Sequence, residues 1–312
     1  MQPKKWDRKG YGEEMLKRVT RGERIFNFVN IIILGILTLI VILPLWSVVM
    51  NSFVSEAEIA RRGVFIMIPE EWNLGAYKLL LGSRSNIYNA YMNTLFVVIV
   101  GTTLNMVMTI MLAYGLSKKQ LKGRKFFTGM IFFTMLFGGG MVPSYMLIKY
   151  LNLLDSRWAL VLPGLIGTWN MFIMRNFFYA IPTSLEEAAM LDGANPYQTL
   201  VWVVLPISMP VIATISLFYA VGHWNAWFGA VLYINDNTKL PMQNILRNIV
   251  ASSSASSLQD VDQHVYDTMQ AKPPSQAIKS AVIIIGTLPI LVVYPFIQKY
   301  FVKGVMVGSI KG

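Results

Sequence analysis

The stretch SLEEAAMLDGANPYQTLVWVVLPISMP, residues 184–210, decides how this chain is read, because it is a polar, punctuated interruption between apolar segments. Ser184 followed by Glu187 has the spacing of a capping box, and Thr183 with Glu186 offers the same pattern one residue earlier. Glu186 and Glu187 lie in the first turn, where the helix dipole favours anions. LEEAAMLD is rich in helix formers, and Gly193 stands where a helix ends through a left-handed residue. Asn195 then caps a second helix with Pro196 at its first position, and that helix is expected to end before Pro206. The sequence predicts two short helices joined by a glycine turn.

The flanking sequence says where this pair sits. The chain has 312 residues, 54% of them hydrophobic and only 14% charged, against about a quarter charged in soluble domains. Apolar runs close to the length that crosses roughly 30 Å of hydrocarbon recur along it. The expected fold is an all-α membrane protein of six transmembrane helices, at about 28–50, 91–112, 126–148, 158–178, 207–233 and 278–301. Between them lie outer loops at 51–90 and 234–277 and the interrupted loop at 182–206. A basic N-terminal segment (1–27) precedes the first span and a tail (302–312) follows the last.

Orientation follows from the basic residues. Lys4, Lys5, Arg8 and Lys9, then Lys118, Lys119, Lys122, Arg124 and Lys125, then Lys299, Lys303 and Lys311 cluster in segments that share one side. The positive-inside bias puts that side, and both termini, in the cytoplasm, and the 182–206 loop with them. An acidic first turn suits a soluble partner better than the negative inner leaflet. The net charge of +11 is explained by these flanks rather than by nucleic acid. With no cysteine and only His223 and His264, Cys-based or His-rich metal centres are excluded. No G-x-x-x-x-G-K-[ST] loop and no Ser-His-Asp set occurs, so the chain is not expected to hydrolyse nucleotide itself.

Glu187, Ala188 and Ala189, then Gly193, Val203, Leu205 and Pro206 at matching spacing, resemble the EAA signature of the permease subunits of binding-protein-dependent, type I ABC importers. Val replaces Ile at 203. The fuller string, the HWNAW of the fifth span and the ending YFVKGVMVGSIKG resemble the carbohydrate branch, as in the inner maltose-importer permease and oligosaccharide or polysaccharide permeases; the likeness runs from about residue 88 to 312. The resemblance implies that Glu186, Glu187, Ala188, Ala189, Asp192, Gly193, Leu205 and Pro206 form coupling helices in a cleft of a separate ATPase, with Gly308 to Gly312 near the same interface. It implies a bacterial cell-membrane location, a heterodimer with a related permease, two ATPase copies and an extracytoplasmic solute-binding protein. ATP and Mg would be bound by the ATPase, leaving this chain without a cofactor. The portion KLPMQNILRN, residues 239–248, would approach the binding protein. An importer of a non-carbohydrate solute, and a membrane scaffold docking a cytoplasmic partner, are the alternatives.

Polar residues inside spans are costly and so are candidates for function. Trp169 and Asn170 in the fourth span, and His223, Trp224, Asn225 and Trp227 in the fifth, have the mixture a sugar path needs: rings to stack and groups to bond hydroxyls. On a continuous helix His223, Trp224 and Trp227 would share one side. The plainer reading is helix–helix hydrogen bonding for Asn and His and packing for Trp. Arg175 reads as an anchor at the cytoplasmic end, and Gly138, Gly139 and Gly140 as a site of close packing or a kink.

Overall fold

The structure is a computed structural model describing residues 21–82, 86–252 and 276–309, with side chains over 22–82, 86–251 and 276–292. The first 20 residues, the Ser-rich part of the outer loop and residues 310–312 lie outside the described residues, as do the side chains of Gly308 and its neighbours. Among the described residues the chain is helical, without strands. The long helices are α1 (Arg21–Asn51) and α4 (Ile87–Ser117), each long and apolar enough to cross a membrane unaided. Two short helices, α2 (Glu56–Arg62) and α3 (Gly75–Leu80), fill the loop between them.

The remaining apolar segments are interrupted. The one expected at 126–148 is two helices, α5 (Arg124–Leu136) and α6 (Met141–Tyr150), bent by 110° at the glycine run, where Gly140 has φ +87°. The 158–178 segment begins as 3-10 turns at Arg157–Leu160 and Leu162–Gly164 before α7 (Thr168–Tyr179). Next come α8 (Thr183–Leu191), α9 (Pro196–Ile207) and α10 (Met209–Asn225), with an 85° bend between α9 and α10. The 207–233 segment breaks again at Ala226 and Trp227 before α11 (Phe228–Tyr233). Helix α12 (Met242–Ser252) and a long α13 (Gln276–Ser309) complete the described chain.

The second span, α4, is the hub: it packs along α10 and α7 and touches α12, while α13 lies against α10, α1 and α12. Met106, Ala113 and Leu116 of α4 meet Met171, Met174 and Phe178 of α7 and Ile215 and Tyr219 of α10. Leu200 and Val204 of α9 belong to the same cluster. In lipid, where burial gains little from leaving water, such contacts hold helices by packing and hydrogen bonding. By contrast α1 presents nearly all its apolar side chains outward. Its C-terminal end is pinned by the Trp46 indole, which donates to the Met67 carbonyl at 2.9 Å, and by Asn51, which donates to the Val64 carbonyl at 2.6 Å.

One outer-loop expectation needs correction. Leu240, Pro241 and Met242, expected to face a binding protein, are buried within the chain. Asn93 donates to the carbonyls of Thr238 (2.8 Å) and Leu240 (3.3 Å), and the Met242 N–H donates to Thr94 Oγ1 at 2.8 Å. The apolar run Leu240-Pro241-Met242 inserts because α4 offers polar groups for its backbone. Arg247, Val250 and Ala251 are the exposed positions described on α12. Asp155 ties a second connection: its carboxylate accepts from the N–H groups of Asn235 (2.6 Å) and Asp236 (2.9 Å). The Asp236 and Asn235 N–H groups hold that carboxyl below the usual range.

Candidate functional site

The two-helix loop is built largely by local hydrogen bonds. Helix α8 starts at Thr183, directly after Pro182, and makes no side-chain cap. The Ser184–Glu187 box is therefore not formed: Pro182, extended at ψ 128°, turns the chain so that Ser184 is already inside the first turn. At the other end the Gly193 N–H donates to Met190 O (3.0 Å) and the Ala194 N–H to Ala189 O (2.9 Å), with Gly193 at φ +90°. These are the two bonds of a Schellman motif. Asn195 and Gln198 then form a reciprocal capping box: Asn195 Oδ1 accepts from the Gln198 N–H at 2.9 Å, and Gln198 Oε1 from the Asn195 N–H at 2.8 Å.

Helix α9 does not stop before Pro206, contrary to the sequence expectation, but runs to Ile207. Its middle, Leu200–Val204, is a π turn, in which the Leu205 N–H reaches back to Leu200 O. The wider turn moves the carbonyls away from the ring of Pro206, which in an α ladder would meet the carbonyl four residues earlier. Leu205 is half-buried against the core and Pro206 is exposed.

Among the described residues nothing covers the loop's outer face. Leu191, beside the glycine turn, is 89% exposed, and Tyr197 and Trp202 are 77% and 66% exposed. Glu187, Ala188 and Asp192 are also exposed and Ala189 half-buried. Glu186 differs: its carboxylate is paired with Lys118 at the end of α4.

Above the loop, α4 carries a polar spine that sequence reasoning missed. Asn105 is fully buried; its Nδ2 donates to the carbonyls of Gly164 (2.6 Å) and Leu165 (2.9 Å), which the broken start of the fourth span leaves without helical partners. With Nδ2 so used, Oδ1 faces His223 Nε2 at 2.6 Å, so that ring nitrogen carries the proton. Thr109 pairs with the Tyr219 hydroxyl (2.8 Å), which accepts from the Gly167 N–H (2.9 Å). Thr94, Asn105 and Thr109 are spaced 11 and 4 apart, on one helix face. They carried the same signal, a polar group within an apolar span, that was followed only in the fourth and fifth spans. Gly101 completes the crossing, since a Cβ there would come within 2.7 Å of His223 Nε2. Asn105→Ala should orphan two buried carbonyls, at about 1–3 kcal/mol each. The expected result is a lower melting temperature of the purified complex in detergent; an unchanged melting temperature would show the spine to be dispensable.

The expected path residues do not share one face. His223 is spent on Asn105. Trp224 is 7% exposed, its indole N–H donating to Gly286 O at 3.3 Å and its ring 6.3 Å edge-on from Tyr91. Because α10 stops at Asn225, Trp227 is off that helix, at φ −128°, and the continuous face expected over 223–227 is absent. Asn225 and Trp169 are exposed and Asn170 half-buried. The Arg247 guanidinium lies 4.1 Å from the Trp227 ring centroid, and among the described residues no carboxylate pairs with it. Arg175 donates to Leu116 O at 3.2 Å, joining α7 to the end of α4. A cavity of about 150 Å³, lined by Thr94, Val97, Leu160, His223, Gly229 and Tyr233 among others, is smaller than the roughly 300–1,000 Å³ of organic-ligand sites.

Residues 105–307 match the family described as binding-protein-dependent transport system inner membrane component. The chain is 45% identical over 294 residues to Protein LplC of Bacillus subtilis (strain 168), covering 94% of this chain and 97% of that one. It is 44% identical over 289 residues to the polygalacturonan/rhamnogalacturonan transport system permease protein YtcP of the same organism, covering 93% and 99%. Among solved structures it resembles a chain of a bacterial ABC transporter involved in the import of the acidic polysaccharide alginate. That TM-score is 0.80, at 32% identity, over 90% of this chain and 98% of the other.

Proposed function

Because this chain belongs to the family of inner membrane components of binding-protein-dependent transport systems, we propose that it is the permease subunit through which an acidic oligosaccharide enters the cell. It is a membrane-embedded transport subunit and not an enzyme; in this family ATP is hydrolysed by a separate subunit. One observation carries the reading: the EAA loop is a two-helix unit whose outer face, led by Leu191, is uncovered among the described residues, while Leu200 and Val204 on its inner face are part of the bundle core. A partner closing on that face moves the spans. ATP and Mg belong to that partner, and the loop, with both termini, faces the cytoplasm.

The substrate class is supported by relatives that handle polygalacturonan and alginate, both carboxylate-bearing chains. Exposed Trp169, Asn225 and Trp227 favour a path between this subunit and a second, related permease, on whose wall they would lie. Arg247 over Trp227 would offer a cation beside a stacking face. Trp227→Ala should lower apparent sugar affinity several-fold, for loss of about 1 kcal/mol of stacking. Arg247→Gln should do so for an acidic oligosaccharide but not a neutral one. The test is reconstitution with the partner permease, the ATPase and the binding protein in proteoliposomes. ATP-driven uptake of oligogalacturonate over a neutral oligosaccharide of equal length supports the reading. Equal uptake of both, or transport by a homodimer of this chain, rejects it.

A further inference from the structure

Helix α8 buries none of its own residues and touches mainly α9, so a hydrophobic core does not hold it against the spans. The last turn of α4 does. Lys118 pairs with Glu186 of α8, both side chains being half-buried, at 26% and 15% exposure. The same ammonium lies 3.9 Å from the Tyr114 ring centroid. The Tyr114 hydroxyl donates to the Pro196 carbonyl at 3.4 Å, at the first residue of α9, and its ring stands edge-on to Phe178 of α7 at 6.3 Å. Arg175 of α7 donates to Leu116 O between them. Two residues one helical turn apart on the second span therefore grip both limbs of the loop.

We propose that Lys118 and Tyr114 form a bracket that delivers movement of the EAA loop to the second span directly, in parallel with its covalent continuity into α10. On this view Glu186 is committed within the chain, and Glu187 and Asp192 remain for the ATPase. Movement of the second span would reach its neighbours, since its polar spine holds the broken start ahead of α7 and the Tyr219 and His223 side chains of α10. The proposal rests on the reading of 182–206 as the ATPase-coupling loop.

Lys118→Glu, Glu186→Lys and the double reversal are compared in the assembled importer, reading sugar uptake and ATP hydrolysis together. Each single reversal should lower uptake per ATP about tenfold, in the range of coupling between directly paired residues, while the ATPase still co-purifies. The double reversal should recover most of the loss. Lys118→Gln, which keeps most of the stem without a like-charge clash, serves if a reversal fails to insert, and should lower uptake per ATP in the same direction. Single variants with normal uptake per ATP, or a double variant no better than the singles, overturn the bracket. Gly193→Val separates the two levels: if it too leaves uptake normal, the coupling reading itself fails, whereas if it alone abolishes uptake only the bracket is lost.

Discussion

Gly193→Val is expected to lower ATP-driven uptake at least tenfold while the subunit still inserts and assembles. Gly193 sits at φ +90°, and nothing within 4 Å would meet an added Cβ, so the effect expected of a side chain there is backbone strain rather than a Cβ clash. A left-handed conformation costs an L-residue about 1–2 kcal/mol, and a β-branched one more. A loss of 1.4 kcal/mol is tenfold in an equilibrium. The strain is relieved by giving up the Schellman bonds, which set the angle between α8 and the capped start of α9. The loop would then present its face to the ATPase with the wrong geometry. Asn, which tolerates this region, should fall between Gly and Val. Uptake and sugar-stimulated ATP hydrolysis measured across Gly, Asn, Ala and Val should descend in that order. Equal activity in all four would mean that the turn does not transmit force.

Leu191→Asp should detach the ATPase. Leu191 is the most exposed apolar side chain of the loop and stands at its tip. An aliphatic group at the centre of a desolvated interface can be worth 2 kcal/mol or more, and a carboxylate put there adds a burial penalty. At 1.4 kcal/mol per decade, binding weakens by about thirtyfold or more. Pull-down of the ATPase with the permease, or its affinity for permease in nanodiscs, reads this directly. Ser184→Ala is the matched control: Ser184 is exposed on the same helix and caps nothing, so it should retain the ATPase fully. Retention by Leu191→Asp would place the docking surface elsewhere, with Tyr197 and Trp202 the next candidates.

What the sequence by itself determined is what short-range chemistry decides. Asn195, Pro196 and Gln198 close their cap within three residues, and the Gly193 turn closes within five, so composition and spacing suffice to read them. The membrane class follows the same way, from apolar runs too long for a soluble chain. The tertiary structure decided the rest, wherever a group's partner lies far along the chain. Ser184 lost its cap to the direction imposed by Pro182, and Glu186 found Lys118, 68 residues away. Pro206 stayed inside a helix because a π turn, anchored by buried Leu200 and Val204, made room for its ring. His223 and Trp224 turned inward because α4 and α13 present Asn105 and Gly286 O to them, while Trp227 left the helix and met Arg247. The breaks in the third, fourth and fifth spans are tolerable in hydrocarbon only when other elements satisfy the freed backbone groups. At the fourth, that element is Asn105 of α4; at the fifth, Asn244 of α12 donates to the Trp227 carbonyl at 3.0 Å. A single apolar segment cannot announce such a break, since its stability depends on which helix comes to lie beside it.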